Sequence, residues 1–214
     1  MCERAIELDP QYAGAYARSG MTHWLEWFRY GGQDQTLEQA SELAQKAVVL
    51  DESLPYAHAS LGFVHLQKKQ HEQAQAEMEH AITLDSNYAA GYQGLSFVLH
   101  SSGKSREAIA VATQAVRLDP QNLNTVNALG QAYVSAGQYE EAIAIFKKIL
   151  ARNPNHWAAR WGLAVIYSES GQEKEAKAEG AEILRITPNF SVEEWKRKSF
   201  YKDQAIIERR AGLK

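Results

Sequence analysis

The chain has a single cysteine, Cys2, among its 214 residues. One cysteine cannot form an internal disulfide, and no Cys/His cluster at metal-ligand spacing accompanies it. No apolar run approaches the roughly 18 residues of a membrane span, and acidic residues stand where a cationic leader would begin. We therefore expect a cytoplasmic protein with no metal, no cofactor and no membrane contact.

A basic excess is also missing, because 23 Lys and Arg stand against 26 Asp and Glu, a net charge of −3. This balance gives no general attraction to nucleic acid, so we expect no nucleic-acid partner. Residues 191–214 are the exception, with seven Lys and Arg against four acidic residues. Contact with an acidic partner is one interpretation of this basic tail, and a solvated terminal helix is the favoured one.

Proline is scarce, and most of its five copies close a recurring segment. Leu-Asp-Pro or a variant of it stands at residues 8–10, 50–52, 84–86, 118–120, 152–154 and 186–188. The last four intervals are 34 residues each, and the first is 42. Between these marks lie two amphipathic stripes separated by a glycine, most plainly in Leu123–Pro154, which predicts a helix hairpin.

Small residues recur in register at two places in these hairpins. They are Gly20, Gly62, Ser96, Gly130 and Ala164 in the first helices, and Ala40, Ala74, Ala108, Ala142 and Ala176 in the second helices. Small side chains at helix crossings let two backbones approach closely. With the 34-residue period, this pattern resembles the tetratricopeptide repeat (TPR). The resemblance implies an all-α fold, a right-handed superhelix (α-solenoid) with a C-terminal capping helix.

The repeat marks divide the chain into segments. We expect a half repeat (1–12), an expanded repeat (13–54), and repeats at 55–88, 89–122, 123–156 and 157–190, followed by a C-terminal capping helix and basic tail (191–214). Ser191 and Glu194 are spaced as a capping box for that helix. Because the array starts within a repeat, we expect the chain to be the C-terminal piece of a longer protein.

The expanded repeat carries eight extra residues rich in aromatic side chains. Trp24, Trp27 and Phe28 are predicted to extend its first helix, Gly31-Gly32 to end it, and Thr36 with Gln39 to start the next as a capping box. In one interpretation these aromatics pack on each other. In the other, Trp24, Trp27 and Phe28 form a docking site for another domain or subunit.

No catalytic constellation is complete. Ser102–Ser105 ends like a phosphate-binding loop, but Val98 stands where its first glycine is required. His58 and His65 share a helix face without a third ligand, so hydrogen-bonded, partly buried histidines are expected rather than a metal site. The sequence therefore indicates a protein that is not an enzyme.

In TPR proteins the first helix of each repeat lines a concave groove, so the resemblance implies which residues contact a partner. The groove candidates are Tyr56, Phe63, Gln93, Phe97, Asn124, Asn127, Gln131 and Trp161. Aromatic anchors combined with amides suit an extended or helical peptide. Packing of these side chains within the superhelix is the alternative.

The predicted function is a protein–protein interaction scaffold with a protein or peptide ligand. Three features also resemble bacterial signalling proteins: the lengthened early repeat, the sequence Ala-Val-Arg-Leu-Asp-Pro at residues 115–120, and a tail that contains Pro-Asn-Phe-Ser, Tyr-Lys-Asp and Arg-Arg-Ala-Gly-Leu. In these proteins, a C-terminal TPR array follows a class III adenylate/guanylate cyclase or a DNA-binding domain. That resemblance implies the alternative function, a regulatory or self-association module of a nucleotide cyclase or transcriptional regulator, acting as a homodimer.

Overall fold

The computed structural model describes residues 2–30 and 33–211, without the side chains of Arg29, Tyr30 and Arg209. Within these ranges the regular structure is helical and no strand occurs. The all-α fold predicted from the sequence is thus confirmed. The helices of the described residues are α1 (Cys2–Leu8), α2 (Ala13–Tyr30), α3 (Asp34–Leu50), α4 (Pro55–Gln67), α5 (His71–Leu84), α6 (Ala89–Ser101), α7 (Ser105–Leu118), α8 (Leu123–Ser135), α9 (Tyr139–Arg152), α10 (Trp157–Glu169), α11 (Glu173–Ile186), α12 (Val192–Lys198) and α13 (Gln204–Ala211).

Repeats two to five keep the 34-residue period in their helix boundaries. Their first helices, α4, α6, α8 and α10, have 13 residues each, and their second helices, α5, α7, α9 and α11, have 14. The turn between them holds one left-handed residue per repeat: Gly103 (φ 82°), Gly137 (φ 72°), Gly171 (φ 71°) and, in repeat two, Lys69 (φ 60°). Lys69 is the only one of these four residues that carries a Cβ, and the left-handed conformation is unfavourable for residues with a Cβ.

One position of the second helix carries a large side chain in two repeats, where it fills the space beside glycines of first helices. We call it the wedge position; it is occupied by Met78, Ala112, Phe146 and Gly180. A Cβ on Gly162 would lie 2.4 Å from the Phe146 ring, and one on Gly130 would lie 2.5 Å from it. A Cβ on Gly94 would meet Met78 Sδ at 2.3 Å. Large wedges therefore face glycine, which keeps the interior close-packed.

The chain divides into two compact units, residues 1–98 and 99–214, with the division inside α6. In the first unit, Trp27, Leu61 and Val64 belong to one buried cluster with the alanines of α3. In the second unit, Phe146 and Ile183 belong to a cluster that continues into α10. α1 has no buried residues.

The expanded repeat corrects one sequence prediction. α2 has 18 residues, whereas the first helices of later repeats have 13. α3 begins at Asp34, so Thr36 already lies inside it, and its N-cap is Gln33, which makes no side-chain capping bond. The capping box predicted at Thr36 is therefore wrong, and the acidic Asp34 stabilises the helix N-terminus instead. Gly31-Gly32 lies outside the described residues.

The C-terminal part also differs from the prediction, because two short helices, α12 and α13, stand where one capping helix was expected. Ser191 is the N-cap of α12 and accepts a hydrogen bond from the Glu194 backbone N–H at 3.3 Å. The Glu194 carboxylate does not complete the predicted box; it accepts from the Arg197 guanidinium at 2.8 Å. Leu184 of α11 stays half exposed, so α11 is not fully covered.

Candidate functional site

The predicted groove residues are carried by the first helices α4, α6, α8 and α10. α4, α8 and α10 each pack against the second helix of their own repeat, which leaves the opposite side of the first helix for other neighbours. We call the predicted residues on that side the groove positions, and describe them separately in each unit.

In the first unit the aromatic groove positions are in contact with α2. Phe63 is buried, and its ring centroid lies 5.0 Å from that of Trp24. Tyr56 is half-buried under the Arg18 guanidinium, whose Cζ lies 5.7 Å from the ring centroid. Burial raises the Tyr56 pKa, and the positive charge of Arg18 opposes that rise. Gln93 and Phe97 of α6 are half-buried as well.

The aromatic insertion of α2 is mainly an internal contact. Trp24 stacks on Phe28 with ring centroids 5.6 Å apart and an interplanar angle of 6°. Trp27 is only 4% exposed and packs in the core with Leu37 and Leu61. Docking through Trp27 is thereby corrected: its side chain has no surface to offer a partner. Trp24 and Phe28 are half-buried and keep the docking interpretation as a prediction.

In the second unit, Asn127 and Gln131 stand one turn apart on α8, both buried. The Gln131 Nε2 donates to the Ala158 carbonyl at 3.5 Å, while Asn127 Oδ1 is buried without a hydrogen-bond partner among the described residues. Asn124 is exposed at the start of the helix, where its backbone N–H donates to the Asn122 side chain.

Residues 190–211, which we call the C-terminal segment, contact residues of α8, α10 and the end of α6. Phe190 and Trp195 contact Trp161 of α10 with ring centroids 5.3 and 4.8 Å away. The Lys202 backbone N–H donates to the Ser101 carbonyl of α6 at 3.0 Å. Phe190 and Trp195 therefore cover part of the fifth repeat, as expected, and the part they cover is the groove position Trp161.

Arg210 is the most deeply placed charge of the C-terminal segment, at 2% exposure. Its Nη2 donates to Ser135 Oγ at 3.1 Å and its Nη1 to Gln131 Oε1 at 3.5 Å and to the Tyr201 hydroxyl. The guanidinium also lies over the Tyr201 ring, with Cζ 4.6 Å from the centroid. All these partners are neutral.

The electrostatics follow from this burial. Desolvation lowers the pKa of His100 to about 3, and the nearby Arg210 charge contributes to the lowering. Desolvation also raises the pKa of Tyr201, opposed by Arg210. On the outer side of α12, the hydrogen bond from Arg197 holds the pKa of Glu194 at about 2. The Glu169 carboxylate adds to the rise in the Tyr201 pKa, so both a positive and a negative charge act on this hydroxyl.

Sequence reasoning missed Ser135 and Arg210 at this site. Ser135 shares its repeat position with Ser101, so the 34-residue register was the signal that could have found it. Arg210 reaches Gln131 across 79 residues of sequence, and no local pattern records such a contact.

The two histidines of α4 have structural partners. His58 Nδ1 lies 2.7 Å from Glu77 Oε2, and its Nε2 lies 2.8 Å from the Glu52 carbonyl oxygen. His65 Nδ1 lies 2.6 Å from Gln70 Oε1. Over residues 2–30 and 33–211, no three His, Cys, Asp or Glu side chains come together as a metal site. In the same ranges no helix has the length and apolarity needed to cross a bilayer.

Helix hairpins repeated every 34 residues, with small residues at their crossings, define a helical solenoid. Models of the tetratricopeptide repeat match residues 55–88 and the overlapping stretches 99–146 and 133–197. Together these matches span more than half of the chain, which therefore belongs to the tetratricopeptide repeat family. No curated protein sequence matches the chain significantly.

Solved structures share this fold at low sequence identity. The thermophilic TPR protein TTC0263 of Thermus thermophilus is 21% identical, with a TM-score of 0.70 over 85% of this chain and 96% of that one. The pilF structure of Pseudomonas aeruginosa is 19% identical, with a TM-score of 0.62 over 94% of this chain and 90% of that one. YrrB, a TPR protein with an unusual peptide-binding site, is 22% identical, with a TM-score of 0.53 over 88% of this chain and 93% of that one. At these identities the likeness shows the fold.

Proposed function

We propose that the chain is a protein-interaction scaffold that binds a peptide segment of a partner along its groove positions, and that it is not an enzyme. One observation carries the proposal: the first helices of the second unit hold a polypeptide segment on this side, namely residues 190–211. Backbone and aromatic contacts both contribute, through Ser101 and Trp161. A surface that seats one polypeptide in this way has the chemistry to seat another.

Asn127 is the residue best suited to recognise a peptide backbone. Its Oδ1 is held on the groove side of α8 by a rigid helix, and no described residue donates to it. An amide oxygen in that state accepts a backbone N–H irrespective of the ligand's side chains. Trp161 nearby supplies an aromatic anchor of the kind that dominates binding energy.

Substitution of Asn127 tests this assignment. A peptide ligand is first selected by phage display against the full chain, and its Kd is then compared for wild type and Asn127→Ala. We expect about tenfold weaker binding, since a lost hydrogen bond in a desolvated site is worth about 1.4 kcal/mol. Asn87→Ala, at an exposed loop asparagine, is the control. Unchanged affinity in Asn127→Ala, with helical content intact, removes Asn127 from the site.

Self-association is the second candidate, and exposed apolar residues of the first unit favour it. Leu8 is 72% exposed, Tyr12 54% and Val49 80%. Large exposed apolar side chains are suited to contact a second copy. Light scattering over a wide concentration range tests this candidate, and a constant monomer mass counts against it. A cytoplasmic location and a place beside a cyclase or DNA-binding domain are further proposals, testable from the neighbouring gene sequence.

A further inference from the structure

The C-terminal segment lies where the proposed function places a partner. Its aromatic residues contact Trp161, its backbone bonds to Ser101, and Arg210 reaches Gln131 and Ser135. A helix that only closed the array would cover the last hairpin alone, whereas this segment also contacts α8 of the preceding hairpin and leaves Leu184 of α11 50% exposed. The segment is therefore arranged as a ligand of the groove positions rather than as an end cover.

The docked segment leaves polar groups without hydrogen bonds. Arg210 Nε and Asn127 Oδ1 are both buried and have no partner among the described residues. The Arg210 guanidinium is buried, and its hydrogen-bond acceptors are neutral. Among the described residues, no carboxylate forms an ion pair with it. Burying an unpaired charge and unsatisfied polar atoms opposes docking. The docked state is thus weaker than its aromatic contacts alone suggest.

The helices of the segment are also short. α12 has seven residues and α13 has eight, below the length at which a helix is stable alone in water. They are joined to each other by the ion pair of Lys196 with Glu208, 2.9 Å apart and partly exposed, which contributes little. Release of the segment would break few charged hydrogen bonds or ion pairs. It would also return the Arg210 guanidinium to water.

We propose that the C-terminal segment is an internal ligand that blocks the second unit's groove positions until a partner peptide of the same chemistry displaces it. This inference rests on the proposed function. The partner presents an aromatic pair to Trp161 and, further along its chain, a tyrosine and an arginine to His100, Gln131 and Ser135. These contacts follow each other in the partner as they do in residues 190–211, because the partner takes the place of that segment.

Hydrogen exchange on the full chain tests the release. Backbone amides of residues 192–211 are expected to exchange at least about tenfold faster than those of α8, through opening that leaves the repeats folded. Tyr201→Ala is expected to increase that opening by a further factor of about ten or more, because Tyr201 is buried against His100 and Arg210. Gln204→Ala, which removes only the exposed hydrogen bond from Gln204 Nε2 to Glu208 Oε1 at 3.0 Å, is the control and changes exchange by a factor of about two or less.

Binding of a probe tests the chemistry of the partner. The probe is a fluorescein-labelled synthetic peptide with the sequence of residues 189–211, and its affinity is measured by anisotropy. We expect Tyr201→Ala to bind it about tenfold more tightly than wild type or Gln204→Ala, because the resident segment competes less. Ser135→Ala in the Tyr201→Ala background is expected to weaken the probe again, because Ser135 Oγ accepts a hydrogen bond from Arg210 Nη2 in the docked segment.

Two failures separate this inference from the function on which it rests. Exchange of the segment at the rate of α8, in wild type and in Tyr201→Ala, overturns the inference: the segment is then a permanent part of the fold, and the groove positions of the first unit keep the proposed function. Fast exchange without probe binding to Tyr201→Ala also overturns it and counts against groove binding itself.

Discussion

Gly162 and Gly180 offer a test of the packing by the same substitution. Glycine to alanine is expected to raise the free energy of unfolding at Gly180 and to leave it unchanged or lower it at Gly162. Gly162→Ala places a Cβ 2.4 Å from Cε2 and Cζ of Phe146, whereas Gly180→Ala meets nothing within 4 Å. Both glycines lie within helices, so each substitution gains about 1 kcal/mol of helix propensity. At Gly162 an overpacking cost of about 1–3 kcal/mol opposes this gain.

The Phe146 ring has little freedom to relieve the clash. It is fully buried, and a Cβ at Gly130 would already lie 2.5 Å from its other edge. Gly162→Ala is therefore expected to be neutral to destabilising by about 2 kcal/mol, and Gly180→Ala stabilising by about 1 kcal/mol. The measurement is urea unfolding followed by far-ultraviolet circular dichroism.

A double-mutant cycle identifies the cause. Phe146→Leu removes part of the ring, so Gly162→Ala in that background is expected to cost less than in wild type. The same variants of Gly180 carry no such coupling, since that glycine lies in open space. Equal stabilisation by Gly162→Ala and Gly180→Ala in the wild-type chain would refute the close approach of α10 to the Phe146 ring.

Two further predictions concern stability. Lys69→Gly is expected to stabilise the first unit by about 1 kcal/mol in urea unfolding, because Lys69 has φ 60° where later repeats have glycine; a lower midpoint would contradict this. The second concerns His100, whose folded-state pKa of about 3 lies below the unfolded value, so its stabilising effect is present above pH 6.5 and lost as the pH falls from there towards 3. Lowering the pH from about 8 to about 5.5 is expected to cost about 1.4 kcal/mol more in wild type than in His100→Gln, by urea unfolding at both values. An equal loss in the two proteins would show that another group is responsible.

The helical period could be read from the sequence because it is a local property repeated in register. Glycines in the inter-helix turns mark the left-handed positions directly, and Gly137 shows the conformation that its residue type favours. Thr36 shows the limit of such patterns. Its capping box fits the spacing, but the observed N-cap is Gln33, three residues before Thr36, and no short pattern decides between two competing starts.

The candidate site was less accessible to sequence reasoning. Positions such as Asn127 and Trp161 follow from the repeat register, but register alone does not say what covers them. The covering residues, Trp195 and Arg210, come from a segment with no repeat pattern, and their positions depend on tertiary contacts. Trp27 was ambiguous for the same reason, since an aromatic residue in an extended helix has the same local sequence whether it is buried or exposed.

The wedge position has a consequence for how the array stops. Met78 and Phe146 each pack against a glycine of the following first helix, and this contact joins one hairpin to the next. Gly180 occupies the equivalent place in the fifth hairpin and presents no side chain. A sixth hairpin grafted after Pro188 would therefore lack this contact, although Ala112 in repeat three, where α7 packs against α8, shows that a small wedge does not by itself prevent stacking. In an array lengthened by protein engineering, Gly180→Phe together with a glycine on the added helix would restore the contact.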